Sequence, residues 1–540
     1  MSLTASAGGA RPLDVIGVTS PREASAEMVG SKAFNLMLMS EAGLSVPQAF
    51  VLGTAVCRDF HEAGGHLDAG MIADVERGIR EIEGSTGLRF GAGRRPLLLS
   101  VRSGAAVSMP GMLETILNVG LSDATLPGLL RATGDPVFVW DSYRRLVQAY
   151  AEVVDGCPTA PFDAVLRRTM DAHGVPTAAE LDVAALQAVV REQQDVYHSL
   201  AGRPFPQDPT EQLLGAVTAV FRSWDSERAR QYRSLQGLTD LIGTAVAVQA
   251  MVFGNMGVTS GSGVGFTRDP ATGENRLYVD FMLDAQGEDV VAGRRAVPET
   301  EASIVALPGL AHELQSVRRR LEGLFRDVQD FEFTVEEGKL WMLQTRTAKR
   351  TAWAALRIAC DLVDEGLIDA ATAVERLGPC DLDSINRVRL ADESAAQIIG
   401  RGVPASDGVG SGRMALGIGA AQRLSREGDP VVLVRDEALT QDIAGLAVCR
   451  GVVTATGART SHAAVVARQL GVACVVGCRD LSFDSDHGKV QTGHREVREG
   501  EWITVDGATG LIYQGEPEVC IERPVELIER VRAWRAQPVD

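Results

Sequence analysis

One stretch of this chain narrows its folding options more than any other, GVVTATGARTSHAAVVARQLGVACVVG from Gly451 to Gly477. Gly451 to Ala455 is a β-branched run, which favours a strand, and Thr456 to Arg459 reads as a glycine-containing loop. From Ser461 onward Ala463, Val466, Ala467 and Leu470 recur at helical spacing until Gly471 stops the helix, and a second apolar strand follows. A strand–loop–helix–strand unit of this kind belongs to an α/β protein. It places His462 in the first turn of the helix, where free backbone amides and the positive dipole end favour an anion. Neutral imidazole is nucleophilic near pH 7, so a histidine there can accept and carry a phosphoryl group. On local pattern alone, a surface histidine after an ordinary Thr/Ser cap is an equal reading.

The rest of the chain is compatible with that architecture. Its 540 residues exceed a single domain and imply three or four folding units. Glycine is frequent, at 57 residues, and clusters in Arg102 to Gly120, Gly254 to Gly273, Gly402 to Gly412 and Thr456 to Gly477. Such clusters read as loops between strands and helices. The net charge of −18 argues against a protein that coats nucleic acid or an anionic membrane. The first residues lack the basic and apolar regions of a signal peptide, and no apolar run is long enough to span a bilayer. Eight scattered cysteines form neither a disulfide framework nor a zinc set, so a cytoplasmic location with reduced thiols is expected.

Two further motifs carry chemistry. In LLLSVRSGAAVSMPGMLETILNVG a buried strand, Leu97 to Val101, leads through Arg102 into a loop of small residues. Backbone amides and a guanidinium in such a loop can surround phosphates. In DFEFTVEEGKLWMLQTR the alternation predicts a hairpin around Gly338. Asp330 and Glu332 then share one strand face, as do Gln344 and Arg346, and an odd-length turn places Glu332 opposite Gln344. Two carboxylates supply hard oxygen ligands for Mg2+, and Arg346 can meet phosphate charge. A polar outer sheet face is an even alternative on pattern alone. Glu274, Glu288 and Asp289 read as turn and solvated carboxylates, and GVGSGR near Gly408 reads as a structural turn.

The TSHAAVVAR segment resembles the phosphohistidine motif of the pyruvate phosphate dikinase and phosphoenolpyruvate synthase family. That family usually has two glycines where this chain has Gly457 and Ala458. The string after Leu97 is similar to the dikinase branch in particular. The resemblance extends through VGSKAFNLMLMSEAGLSVPQAF, FVWDSYRRLVQAY, FPQDPTEQLLGAV, GTAVAVQAMVFGNMGVTSGSGVGFTRDPATGE and AQGEDVVAGRR, from about Glu27 to Gly515. It implies an α/β fold with an ATP-grasp nucleotide-binding domain in 1–350, a helical linker in 351–395, a swivelling phosphohistidine domain in 396–515 and a terminal helix in 516–540. It implies that His462 takes phosphoryl from ATP, with Lys32, Arg102, one or both of Arg144 and Arg145, Gln344 and Arg346 on the nucleotide. Asp330 and Glu332 hold Mg2+ in this reading. Thr460 matches a regulatory phosphorylation target of some relatives.

The same resemblance implies an ATP-dependent phosphotransferase. The histidine takes the β-phosphoryl with the γ attached and releases AMP, and inorganic phosphate or water then removes the γ-phosphate. The family's third domain, a (β/α)8 barrel, has no counterpart in the 25 residues after Gly515. The acceptor is therefore expected on a separate protein or as a small molecule. A non-catalytic nucleotide-binding or phosphocarrier module is one alternative, and a truncated dikinase is another. Leu527, Ile528, Val531 and Trp534 form an apolar stripe on the last helix, which either docks a barrel-bearing partner or folds back on the chain.

Overall fold

A computed structural model of the chain describes residues 14–16, 24–107, 109, 115–235, 237–238, 240–292, 304, 306–378, 381–392, 397–436, 443–457, 459, 461–484, 488–492 and 495–536. It is a mixed α/β structure that packs as two units. One holds 1–256 with 341–344, and the other holds 257–340 with 345–540.

In the first unit five strands form an antiparallel sheet: β1 (Asp14–Ile16), β2 (Ala49–Leu52), β3 (Leu99–Gly104), β4 (Thr115–Val119) and β5 (Ala245–Ala250). Their order is β1-β2-β5-β3-β4. Helix α1 (Ala26–Glu41) precedes β2 and is broken at Gly30, whose φ is 77°. A methyl at Gly30 would lie 2.1 Å from the Gly104 carbonyl oxygen, so only glycine lets the two backbones meet there. Helix α2 (Pro136–Asp155) starts on Asp135, whose carboxylate caps the Phe138 amide, and buries Phe138, Tyr143, Leu146, Val147 and Tyr150 in the unit's main core.

The second unit begins with strands β6 (Gly261–Phe266), β7 (Tyr278–Leu283), β8 (Gln329–Glu336) and β9 (Lys339–Thr347), ordered β9-β8-β6-β7. The glycine cluster expected to be loop is, from Gly261 to Phe266, a buried central strand. Its alternation is spatial. Methyls at Gly261, Gly263 and Gly265 would lie 2.3, 2.4 and 2.3 Å from the rings of Phe281, Phe333 and Phe331. Those rings reach over β6 with their Cζ ends nearest the glycines, and Phe281 and Phe333 are stacked at 5.7 Å. One face of the sheet is thus filled by aromatics. Asp280 of β7 and Asp330, Glu332 and Thr334 of β8 occupy the other.

Helices α3 (Ala352–Asp364) and α4 (Ala370–Leu377) follow, within the stretch where the resemblance implies a helical linker. The linker expected to be helical over 351–395 instead includes strand β10 (Arg387–Leu390). Beyond it lies an eight-stranded mixed sheet: β11 (Ile398–Arg401), β12 (Val403–Ser406), β13 (Val409–Ala415), β14 (Val431–Arg435), β15 (Gly451–Thr454), β16 (Ala473–Val476), β17 (Trp502–Asp506) and β18 (Leu511–Gln514). The order is β11-β18-β17-β13-β14-β15-β16-β12, and β13 to β16 run parallel. GVGSGR, read as a turn, is a turn only at Gly408. Gly410 and Gly412 lie within β13, where methyls would meet the Arg450 and Pro430 carbonyl oxygens at 2.0 and 2.6 Å.

The chain returns through β19 (Val519–Glu522), which pairs with β10, into α6 (Val525–Arg535). Ile528 and Val531 are buried against Leu356, Cys360, Leu382 and Ile385, with Leu527 and Trp534 packed around them. Arg530 pairs with Asp364, and Arg523 with Asp383. The terminal stripe therefore folds back on the connector and is not an open docking face. Apolar burial wins, because leaving these side chains in water would cost about 1.5–3 kcal/mol each. Among the described residues no helix is long and apolar enough to cross a membrane.

Candidate functional site

The β15–loop–helix unit forms as its sequence pattern predicts. Gly457 has φ 109°, which a residue with a Cβ avoids, and turns the chain out of β15. Thr454 Oγ1 donates to the Thr456 carbonyl at 2.6 Å, and Thr456 Oγ1 to the Asp436 carbonyl at 2.8 Å, stiffening the loop. Ser461 is the N-cap of α5 (His462–Leu470), its hydroxyl accepting from the Ala464 amide, and Gly471 closes the helix at φ 66°. His462 is the first residue of that helix. Ala458 and Thr460 lie outside the described residues, so the regulatory expectation at Thr460 does as well.

In the same unit, β8 and β9 meet at Glu337 and Gly338, both at positive φ (48° and 79°), as a tight hairpin turn requires. Arg346 Nε donates to Asp330 Oδ2 at 2.7 Å. The Asp330 side chain is 5% exposed and that of Arg346 is 40% exposed. Burial pushes the Asp330 carboxyl above its ordinary range, against the pull of Arg346, and its Oδ1 has no partner. Glu332 shares the face two residues along β8.

Cross-strand register extends this face. Phe266 stands opposite both Asp330 and Tyr278, and Val264 stands opposite both Glu332 and Asp280. Asp280 is buried, its carboxyl pushed up to about 6 by burial against the pull of Arg468 and a hydrogen bond from the Arg459 backbone. Asp280, Arg459 and Arg468 were not among the residues picked from the sequence. A buried carboxylate beside arginines that are distant in the chain leaves no periodic signal.

The first unit gathers a different set. Ser31, beside Lys32, donates through its amide to the Ala105 carbonyl at 2.9 Å, and the Lys32 Cβ lies 3.9 Å from the methyl position of Gly104. Arg102 Nη1 donates to the Leu343 carbonyl at 3.3 Å, next to buried Gln344. Lys32 thus lies beside Gly104, at the end of the strand that carries Arg102, and the Leu343–Gln344 segment adjoins Arg102.

Arg144 and Arg145 share one partner instead. Arg144 donates to Asp141 Oδ1 at 2.7 Å, and Arg145 to Asp141 Oδ2 at 2.7 Å. Against burial, which pushes it up, the two guanidinium groups hold the Asp141 carboxyl down to about 2. The trio carries a net charge of +1, so the pair offers a phosphate the charge of one arginine. Glu274 is an exposed turn residue, as expected. No group of three or more metal-ligating side chains occurs among the described residues.

Comparison with known proteins bears on both units. Residues 65–305 match the family described as "Pyruvate phosphate dikinase, AMP/ATP-binding domain", and residues 427–510 match "PEP-utilising enzyme, mobile domain". The second match contains His462. The chain is 44% identical over 492 residues to Pyruvate, phosphate dikinase 2 of Zea mays, covering 91% of this chain and 56% of that protein. It is 41% identical over 510 residues to Pyruvate, phosphate dikinase of Clostridium symbiosum, covering 94% and 58%. A chloroplastic relative from Arabidopsis thaliana is 41% identical over 509 residues, covering 94% and 53%. The chain thus spans about half the length of the curated relatives it matches, and over that span it belongs to the pyruvate phosphate dikinase family.

Proposed function

We propose that the chain is an ATP-dependent phosphotransferase of the dikinase type, with His462 as its covalent phosphoryl carrier. The observation that supports this most is the placement of His462. It opens a helix capped by Ser461, in the unit whose sheet presents buried Asp330 with Arg346 and Glu332. In this reading a ring nitrogen of neutral His462 attacks the β-phosphorus of ATP. The bond from that phosphorus to the α–β bridging oxygen breaks, AMP leaves, and the histidine holds a pyrophosphoryl group. Inorganic phosphate takes the γ-phosphoryl as pyrophosphate, or water takes it as phosphate. The remaining phosphoryl then passes from His462 to an acceptor on a separate protein or to a small molecule, pyruvate-like where a partner barrel binds it.

Lys32, Arg102 and one charge of the Arg144–Arg145 pair are assigned to the triphosphate, and Gln344 and Arg346 to the nucleotide. The backbone amides at the start of α5 favour the anion that forms on His462. Mg2+ fits the carboxylates. Asp330 keeps one buried oxygen unpartnered while Arg346 holds the other, and Glu332 adds a second carboxylate on the same face. Two oxygen ligands suit a cation that takes the rest of its shell from water and phosphate. When bound, Mg2+ supplies charge neutralisation to the polyphosphate. A cytoplasmic location is part of the proposal, although several relatives are named chloroplastic.

The test is incubation with Mg·ATP, with and without inorganic phosphate, followed by nucleotide analysis and detection of phosphohistidine. AMP formed together with an acid-labile, alkali-stable phosphoprotein is expected. ADP as sole product, or no protein-bound phosphate, refutes the assignment. A nucleotide-sensing module that never completes catalysis would bind ATP and release no AMP.

A further inference from the structure

Two arginines flank His462 in the chain, Arg459 in the loop before it and Arg468 in the last turn of α5. Both reach the same face of the β6–β8 sheet. The Arg459 guanidinium carbon lies 4.4 Å from the centroid of Tyr278, and that of Arg468 lies 5.3 Å from the centroid of Phe266. Tyr278, Phe266 and Asp330 form one cross-strand row, and Asp280, Val264 and Glu332 form the next. Between the stacking contacts, the Arg459 backbone and the Arg468 guanidinium both pull the Asp280 carboxyl down against its burial.

The contacts are desolvated and electrically unfinished. Arg468 is 2% exposed and spends Nη1 on the Ala405 carbonyl at 2.9 Å, while its Nε and Nη2 have no partner. Arg459 Nε, Asp280 Oδ2 and Asp330 Oδ1 are likewise unpartnered. Burial lowers both guanidinium groups, Arg459 to about 10, against the pull of nearby Asp269. Cations stacked on aromatic faces hold position without committing their N–H edges to ion pairs. A contact that must form and release repeatedly needs that property.

We propose that Arg459 and Arg468 are positioning residues that seat the histidine loop and helix on the carboxylate-bearing sheet face, Arg459 on Tyr278 and Arg468 on Phe266. The inference rests on the phosphotransfer reading for its purpose and on these contacts for its geometry. Arg468 also braces its own sheet through Ala405, so Arg459→Met gives the cleaner test. Among the described residues the Arg459 side chain meets the sheet at Tyr278, and methionine keeps the length of the stem.

The experiment compares full-length wild type, Arg459→Met, Arg459→Lys, Tyr278→Leu and the Arg459→Met/Tyr278→Leu double variant. Hydroxyl-radical footprinting of Phe266 and Tyr278 reads the seat without any turnover, and single-turnover AMP formation from Mg·ATP reads its use. Arg459→Met is expected to raise labelling of Phe266 in the unliganded protein and of Tyr278 beyond it. AMP formation is expected to slow about tenfold, the scale of a desolvated cation–π contact, with ATP affinity within about twofold. Arg459→Lys should recover part of both effects, and the double variant should add little to either single one. An unchanged footprint in Arg459→Met, or effects of the two single variants that multiply in the double, overturns the proposal. If wild type forms no AMP, the functional reading fails, while the footprint still decides whether the arginines seat the helix.

Discussion

Replacing Asp141 by asparagine should cost more stability than the loss of one charge on a helix surface. Asp141, Arg144 and Arg145 lie at i, i+3 and i+4 on α2, and their side chains are 11%, 8% and 20% exposed. An exposed pair at such spacing is worth about 0.3–0.5 kcal/mol. This one is nearly dry. Burial raises the Asp141 carboxyl, and the two arginines more than reverse that, taking it from 3.8 to about 2. At about 1.4 kcal/mol per unit the depression corresponds to about 2 kcal/mol of stability at neutral pH.

The sign follows from linkage. A folded-state pKa below the unfolded one gives stability that is present above about pH 4 and lost as pH falls through 2. By the same relation about half the contribution remains near pH 3. Denaturant unfolding of full-length wild type and Asp141→Asn, followed at pH 7, 4 and 3, measures this. A loss of about 2–3 kcal/mol at pH 7, nearly the same at pH 4 and clearly smaller at pH 3, is expected. A loss below about 0.5 kcal/mol, or one independent of pH, would show that the trio is an ordinary surface cluster.

Three other changes probe the fold and the site. Gly263→Ala places a methyl 2.4 Å from Phe333 and 2.9 Å from the Asp280 carbonyl oxygen, and thermal unfolding should show a loss of about 1–3 kcal/mol; an unchanged midpoint contradicts the close packing of these rings on the glycines. Glu332→Gln keeps shape and removes one charge from the carboxylate face, so AMP formation should fall well over tenfold at any Mg2+ concentration. Identical rates for variant and wild type as Mg2+ is raised would leave these carboxylates as surface charges. Val531→Asp puts a charge into the contact of α6 with Leu356 and Cys360, and calorimetry should register at least about 3 kcal/mol of destabilisation; a silent substitution would mean that α6 is not docked.

The strand–loop–helix around His462 was legible because every local signal agreed: a β-branched strand, a glycine at positive φ, a Ser cap and helical apolar spacing. The Asp330–Arg346 hairpin was legible for the same reason, since period-two alternation fixes which residues share a face. Glycine was where local reading failed. Gly261, Gly263 and Gly265 sit in a strand because phenylalanines from β7 and β8 lie on them, and Gly410 and Gly412 sit in β13 because neighbouring backbones press close. A glycine in the sequence does not say whether it is there for its torsions or for its missing Cβ. The Asp141 trio and the seats of Arg459 and Arg468 were hidden for a related reason. Whether an arginine faces water, a phosphate or an aromatic ring is decided by tertiary packing, and the ring partners of Arg459 and Arg468 lie more than a hundred residues away.

The central claim is that His462 carries the β-phosphoryl of ATP, and isotope position tests it most directly. Full-length protein is given Mg·ATP labelled at the β- or at the γ-phosphorus, then inorganic phosphate, and is digested at alkaline pH for peptide mapping. Label from the β position should stay on the peptide containing His462, label from the γ position should leave with the phosphate product, and His462→Ala should retain neither while still binding ATP. Retention of γ label alone, label on another residue, or undiminished AMP formation by His462→Ala would contradict the account.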